Sequence, residues 1–254
     1  MRSRMRARWL ATIGLVAMLL IGPALASHAV ASGDVIGNGH YWPFKKTPVT
    51  ITFGDNLDSK WEGYFDDSLR RWNKSDVIKG KSTRGSTNGT DCAPKDGTVQ
   101  VCNAAYGQNK GWLGLTQIRF NKSKITSVTV QFNDSFFSSG SKYNDPRAKQ
   151  HTACHEMGHA IGLDHETTKS CMNDSESAIF NNTKPINRDF KELRKIYSDK
   201  NRKKTAKKDR QNKRGTMAPA GDGTGILTLE QRETTTTTTL PDGSTLVTIT
   251  TWAD

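Results

Sequence analysis

Residues His155 to His165 read H-E-M-G-H-A-I-G-L-D-H, and this stretch decides how the rest of the sequence is interpreted. His155 and His159 are four residues apart, so a helix places both imidazoles on one face, with Glu156 beside them. Gly162 tolerates the left-handed conformation that ends a helix, so the chain can turn back and bring His165 to the same point. Three imidazoles with one open position are the ligand set of a catalytic zinc ion. The sequence therefore predicts zinc as cofactor, with His155, His159 and His165 as its ligands.

Glu156 follows the first of these histidines and has a predicted role of its own. A carboxylate beside a zinc ion acts as general base for a water that the metal activates. A purely structural zinc ion has no use for such a base. Glu156 is therefore the predicted catalytic residue of a hydrolytic site.

The eleven residues carry the motif H-E-x-x-H-x-x-G-x-x-H and thereby resemble the metzincin zinc endopeptidases. In that family a methionine-containing turn lies beneath the zinc, and Met172, seven residues after His165, is at the matching place. The stretch H-A-I-G-L-D-H and the short distance to Met172 are most similar to the matrixin-like peptidases, including secreted bacterial members. Glu166, which is more like the astacins, and Asn173 depart from the matrixin pattern. The resemblance covers about residues 47–198.

This resemblance implies an α+β fold: a twisted, mostly parallel sheet with an edge strand that binds substrate, and three helices. It also implies a protein or peptide substrate, since an extended peptide joins a sheet edge by strand addition. The segment T-S-V-T-V-Q-F at residues 126–132 alternates most clearly between apolar and polar positions. The resemblance gives the substrate-binding role to Ser127, Val128, Thr129, Val130, Gln131 and Phe132.

Sequence patterns predict further elements along the chain. Apolar residues at helical spacing indicate a helix from Ser59, its N-cap, to Trp72. Asp145 as N-cap and Pro146 at the first position predict the helix that carries the histidines, ending near Ile161. A closing helix is expected over 187–198, strands over 48–53, 98–102 and 117–121, and an exposed Gly/Ser/Thr-rich loop over 80–91.

The N-terminal segment predicts export. Residues 1–31 combine four arginines, an apolar stretch over 9–21 and small-residue cleavage sites ending at Ala26 and Ala31. No later segment is apolar enough to span a membrane. We therefore expect a secreted or cell-surface-retained, monomeric protein with a signal peptide (1–31), a catalytic domain (32–199), a basic linker (200–214) and a C-terminal tail (215–254).

Export favours disulfides among the four cysteines, for which three connectivities are open. The local solution pairs Cys92 with Cys102, and Cys154 with Cys171. The second of these bonds would join the helix of His155 to the turn of Met172. A cysteine-containing metal site is the rival, but no pair has C-x-x-C spacing.

The net charge of +12 is concentrated in short segments. Residues 200–214 carry nine Lys or Arg against one Asp, which is typical of a solvated linker or of a tether to an anionic cell-surface polymer. A specific nucleic-acid partner is not expected. In the tail, Ile226–Glu233 and Ser244–Trp252 predict two strands of a hairpin around a turn at Pro241.

Several alternatives stay open. His151 is one helical turn before His155, but three histidines over two turns lie too far apart for one ion, so a packing role is favoured. Calcium is a second cofactor common in matrixin-like folds, and Asp134 and Asp145 are candidate ligands, although no spaced calcium loop is present. The alternative functions are a surface-binding protein that uses the basic segment and tail, or a zinc amidase acting on cell-wall material.

Overall fold

The computed structural model describes residues 40–199, 201, 203, 207 and 233–253. In this part of the chain one seven-stranded sheet has the order β2-β1-β3-β5-β4-β7-β6. Its strands are β1 (Val49–Asn56), β2 (Ile78–Arg84), β3 (Thr98–Ala104), β4 (Trp112–Asn121), β5 (Lys124–Asn133), β6 (Glu233–Thr239) and β7 (Thr245–Trp252). The helices are α1 (Ser59–Trp72), α2 (Pro146–Ala160), α3 (Glu176–Asn181) and α4 (Asn187–Ile196). The predicted targeting segment, and all but three residues of the basic segment over 200–214, lie outside the described residues.

The first five strands form a mostly parallel sheet. β1 pairs in parallel with β2 and β3, and β3 pairs in parallel with β5, whereas β4 is antiparallel to β5. The predicted α+β class with a mostly parallel sheet and few helices is confirmed. The expectation of three helices missed α3, which has only six residues and is too short to show a helical period. None of the described helices combines the length and the apolar character needed to cross a bilayer.

Helix α1 packs its apolar face into the core. Trp61, Phe65, Leu69 and Trp72 are all buried, at the helical spacing that predicted them. The N-cap is Asp58 and not the predicted Ser59: the Asp58 side chain accepts a hydrogen bond from the backbone N–H of Lys60 at 2.9 Å. Ser59 already belongs to the helix, because Asp58 keeps extended backbone angles and provides the cap from outside.

Strand β2 takes up the first five residues of the exposed loop predicted over 80–91, and the rest of that range forms neither strand nor helix. Its residues I-K-G-K-S-T-R bury little beyond Ile78, so the pattern lacks the alternation of a half-buried strand. β2 is an edge strand that pairs only with β1, and exposed lysines are typical of such edges. At Gly80 the strand passes so close to α1 that a Cβ atom would lie 2.5 Å from Leu69 Cδ1.

The substrate strand predicted from the resemblance is not at an edge of the sheet. Ser127 to Phe132 belong to β5, which lies between β3 and β4 and is bonded on both sides. Its main-chain groups are therefore used within the sheet and cannot take up a peptide. The neighbour of β5 in the sheet, on the side away from β3, is β4, which begins at Trp112 rather than at the predicted Gln117. The residues W-L-G-L-T before the predicted start form the first half of this strand.

The tail forms a hairpin that continues the same sheet. β7 pairs antiparallel with β4, and β6 pairs antiparallel with β7. The second predicted strand agrees with β7, but the first strand is placed on the threonine run, over Glu233–Thr239. Of the residues predicted for that first strand, 226–232 lie outside the described part. Threonine is β-branched and suits a strand, which explains why low complexity did not prevent pairing here.

Two disulfides are present, and both follow the local pairing. Cys92 bonds to Cys102, and Cys154 bonds to Cys171, with Cα–Cα distances of 5.9 and 6.0 Å. The first bond links β3 to the loop before it. The second links the centre of α2 to the segment that contains Met172. The rival cysteine-containing metal site is thereby ruled out, because all four thiols are used.

Candidate metal centre

Helix α2 delivers two of the three predicted ligands. It starts as the sequence predicted, with the Asp145 side chain accepting a hydrogen bond from the Arg147 backbone N–H and Pro146 at the first position. The helix ends at Ala160, and Gly162 then adopts a φ of +99°. This is a left-handed conformation that residues with a Cβ atom rarely adopt. It reverses the chain immediately after His159 and directs the next residues back toward the helix.

The three predicted ligands lie together. The ring nitrogens that His155, His159 and His165 can offer are all within 4.8 Å of one another. His155 Nε2 and His159 Nε2 are 3.0 Å apart. Ligands of a tetrahedral zinc ion, each about 2.05 Å from the metal, are separated by about 3.3 Å, so this spacing fits. Among the described residues, these three histidines form the cluster of potential ligands that could hold a metal ion.

Backbone carbonyls fix the protonation of two of these rings. His155 Nδ1 donates to the Cys171 carbonyl oxygen at 2.6 Å, and His159 Nδ1 donates to the Leu163 carbonyl oxygen at 3.0 Å. When Nδ1 carries the proton, Nε2 of a neutral imidazole holds a lone pair. Two such nitrogens 3.0 Å apart are placed to share one cation. The donor set therefore fits a metal ion, with the carbonyls orienting the ligands.

Glu156 has no exposed surface and is held by two threonine hydroxyls. Thr116 in β4 donates to Oε2 and Thr251 in β7 donates to Oε1, each at 2.6 Å. The backbone of β4 passes directly over the carboxylate: a Cβ atom on Gly114 would lie 2.3 Å from Glu156 Oε1. Gly114, Thr116 and Thr251 were not predicted. A glycine inside a strand was the available indication, since it often marks a close approach.

Met172 lies against the last turn of α2 and is completely buried. A Cβ atom on Gly158 would lie 2.2 Å from Met172 Sδ, so the sulfur occupies the space that this glycine leaves open. Gly158 is the residue before His159, which puts the methionine against the ligand-bearing turn. The contact agrees with the predicted floor beneath the metal, and its catalytic importance stays a prediction.

Asp189 anchors the turn of Met172 to helix α4. Its Oδ2 accepts hydrogen bonds from Ser170 Oγ at 2.7 Å and from the Ile186 N–H at 2.6 Å. Ser170 Oγ accepts in turn from the Met172 N–H at 3.0 Å. Burial raises the pKa of the Asp189 carboxyl to about 6, even though both hydrogen bonds oppose that shift. The carboxyl therefore changes charge within the mildly acidic range.

The remaining candidates have structural partners. His151 is buried and its Nδ1 donates to the Asn182 carbonyl oxygen at 2.7 Å, which agrees with the favoured packing role. Asp134 accepts hydrogen bonds from Trp61 Nε1 and Asn103 Nδ2 at 2.6 and 2.7 Å. Asp145 caps α2 and pairs with Arg147. The oxygens of both proposed calcium ligands are thus engaged by protein donors, and calcium stays an untested prediction.

Comparisons with known proteins give matches at the level of structure only. No family model and no curated protein matches the sequence. Among solved structures the chain is similar to myroilysin, with 14% identity over 63% of this chain and 97% of that one, and a TM-score of 0.38. For archaemetzincin from Methanopyrus kandleri the identity is 13% over 63% and 96% of the two chains, with a TM-score of 0.38.

High choriolytic enzyme 1, a hatching enzyme zinc-protease from the medaka fish Oryzias latipes, is a third similar structure. The identity is 11% over 62% of this chain and 94% of that one, with a TM-score of 0.34. At this level of identity and superposition, neither an activity nor a subfamily follows from the similarities.

Proposed function

We propose that the protein is a secreted zinc-dependent endopeptidase of the metzincin type. The observation that carries the proposal is the group formed by His155, His159 and His165 with Glu156 beside it. His155 Nε2 and His159 Nε2 lie 3.0 Å apart, a spacing that suits two ligands of one metal ion, and a buried carboxylate on the same helix provides a base. A metal site that serves structure alone has no role for that carboxylate.

Each residue has a defined task in peptide hydrolysis. His155, His159 and His165 would hold zinc, which supplies a Lewis acid that polarises a carbonyl and acidifies water. Glu156 would accept the proton of the attacking water and pass it to the leaving amine. Met172 would support the ligand-bearing turn from below. Thr116 would orient the Glu156 carboxylate through its hydrogen bond to Oε2.

We further propose that β4, and not β5, is the strand along which an extended peptide binds. β4 is one of the two end strands of the first five, on the opposite side from β2, and its Gly114 is in contact range of Glu156. A peptide paired antiparallel with β4 would run past the carboxylate and the imidazoles. This replaces Ser127–Phe132 by Trp112–Asn121 as the proposed substrate strand.

Membership of the matrixin-like subfamily and export are proposals that rest on sequence. The first is supported by H-A-I-G-L-D-H and by the short spacing between His165 and Met172. The second is supported by the basic and apolar composition of residues 1–31. Attachment to an anionic cell-surface polymer through residues 200–214 stays a prediction of the same kind.

The proposal is tested on the full chain with three proteins: wild type, Glu156→Gln, and Glu192→Gln as a matched control on α4. We expect each to bind one zinc ion, measured by elemental analysis after dialysis. Cleavage of casein in extended incubations should stop with a chelator, and Glu156→Gln should reduce the rate by about 10²-fold or more. Undiminished cleavage by Glu156→Gln, or a wild type that binds no zinc, would contradict the proposal.

A further inference from the structure

The outer side of β4 is covered by the chain's own C-terminal hairpin. β7 pairs antiparallel with β4 along nearly its whole length, with Thr251 opposite Gly114, Ile249 opposite Thr116 and Val247 opposite Ile118. Just beyond the strand, the Ala253 N–H donates to the Gly111 carbonyl oxygen at 2.7 Å. In a sheet each strand has one set of main-chain groups for either neighbour. Because β5 takes the inner set, β7 uses the outer set that a bound peptide would need.

The hairpin also reaches the carboxylate. Thr251 Oγ1 donates to Glu156 Oε1 at 2.6 Å, while Thr116 Oγ1 donates to Oε2 at the same distance. Thr251 is 2% exposed and Glu156 is 0% exposed. A carboxylate with a donor on each oxygen and no exposed surface is not free to take a proton from water. The Thr251 side chain of β7 therefore occupies the space next to Glu156 Oε1.

The hairpin is held against β4 by apolar packing and by an ion pair. Val247 and Ile249 are buried in the common core at 5% and 2% exposure. Arg119 of β4 forms an ion pair with Asp242 in the turn, and Trp252 Nε1 donates to Thr234 Oγ1 at 3.0 Å. A two-stranded hairpin is marginally stable by itself in water. Its strands therefore depend on docking against β4, and loss of that docking would release them.

We propose that residues 233–253 are an autoinhibitory segment that occupies the peptide-binding edge of β4 and covers Glu156. This inference rests on the proposed peptidase function. The chain is latent while β7 is paired, and it becomes active when the hairpin leaves β4. Tethering in the same chain gives the hairpin a millimolar effective concentration (order of magnitude), so free peptides compete poorly.

The test uses full chains in which the hairpin is weakened without a change in the catalytic portion. Ile249→Asp places a charge at a buried position of β7, and Ile249→Ala removes apolar contact without adding charge, should the first variant fold poorly. Thr235→Asp is the matched control, because Thr235 is exposed on β6 directly opposite Ile249. Each protein is loaded with zinc, checked by circular dichroism, and assayed for casein cleavage. A synthetic peptide of residues 233–253 is then added to the released variant.

We expect Ile249→Asp to cleave casein at least tenfold faster than wild type, Ile249→Ala to be intermediate, and Thr235→Asp to equal wild type. The added peptide should restore inhibition. Hydrogen exchange is followed in parallel in the Glu156→Gln background, where release should raise exchange of the β4 amides. Equal cleavage by wild type and the Ile249 variants, with β4 amides exposed in the variants, would overturn autoinhibition while the peptidase proposal stands. Release of the hairpin with no cleavage by any protein would overturn both.

Discussion

At the scale of single residues, two glycines shape the site because they have no Cβ atom. Gly114 lets the backbone of β4 pass over the Glu156 carboxylate, and Gly158 leaves the space that Met172 Sδ fills. Neither has a positive φ, so backbone freedom is not the reason for them. The reason is close approach, which leaves no room for a methyl group.

Gly158→Ala should therefore lower the free energy of unfolding, whereas Gly63→Ala in α1 should not. The added Cβ atom would lie 2.2 Å from Met172 Sδ and 3.0 Å from Trp72 Cζ2, and both side chains are buried. Overpacking of this kind costs about 1–3 kcal/mol. A Cβ atom on Gly63 in α1 would meet no other atom within 4 Å, so Gly63→Ala should raise stability by up to about 1 kcal/mol.

Urea unfolding of both variants measures the difference. Equal effects of the two substitutions would show that Met172 does not press against the ligand-bearing turn. The zinc content of Gly158→Ala adds a second readout, since a displaced turn should also weaken metal binding, whereas Gly63→Ala should leave it unchanged.

At the scale of elements, a buried carboxyl joins the turn of Met172 to α4. The pKa of Asp189 is raised to about 6 from 3.8, because burial disfavours its charged form. As pH rises, the Asp189 carboxyl loses its proton at a lower pH in the unfolded chain than in the native state. The native state therefore binds more protons than the unfolded chain between about pH 4 and 6. Stability accordingly falls as pH rises through this window, and the loss is complete above the folded pKa.

Asp189→Asn should remove this dependence. In the metal-free protein, the wild-type free energy of unfolding should drop by up to about 3 kcal/mol relative to the variant between pH 4 and 7. Asp145→Asn is a control of opposite sign. A side-chain hydrogen bond from Arg147 leads the causes that lower the Asp145 pKa to about 2, so its contribution is lost only below about pH 4. The free energy of unfolding is measured by urea titration at several pH values. The same pH dependence in wild type and Asp189→Asn would refute the raised pKa of Asp189.

The elements also show what sequence could and could not predict. Motifs with local geometry were sufficient for α2, its Asp145 cap, the reversal at Gly162 and the three converging histidines. β2 was missed because an edge strand needs no alternating apolar face. The position of β5 was misassigned because alternation reports one buried face and not which neighbours a strand has.

At the scale of the whole molecule, the main feature hidden from sequence is the pairing of β4 with β7. It joins residues more than 120 positions apart, such as Gly114 and Thr251, and long-range pairing leaves no local pattern. The tail was predicted as a hairpin, but its partner was not. One sheet therefore contains both β4, which borders Glu156, and the hairpin strand β7, which contacts the same carboxylate.

Zinc should therefore stabilise the whole described unit, through His165 in particular. Metal that binds the native state and not the unfolded chain raises the melting temperature by mass action. His165 follows the helix, so a zinc ion would tie this segment back to α2. His165→Ala should abolish the zinc-dependent rise in melting temperature. His151→Ala, which removes a buried imidazole bonded to the Asn182 carbonyl, should lower the starting value but keep the rise. Scanning calorimetry of both variants with zinc and with chelator measures this, and an equal rise in the two would exclude His165 as a ligand.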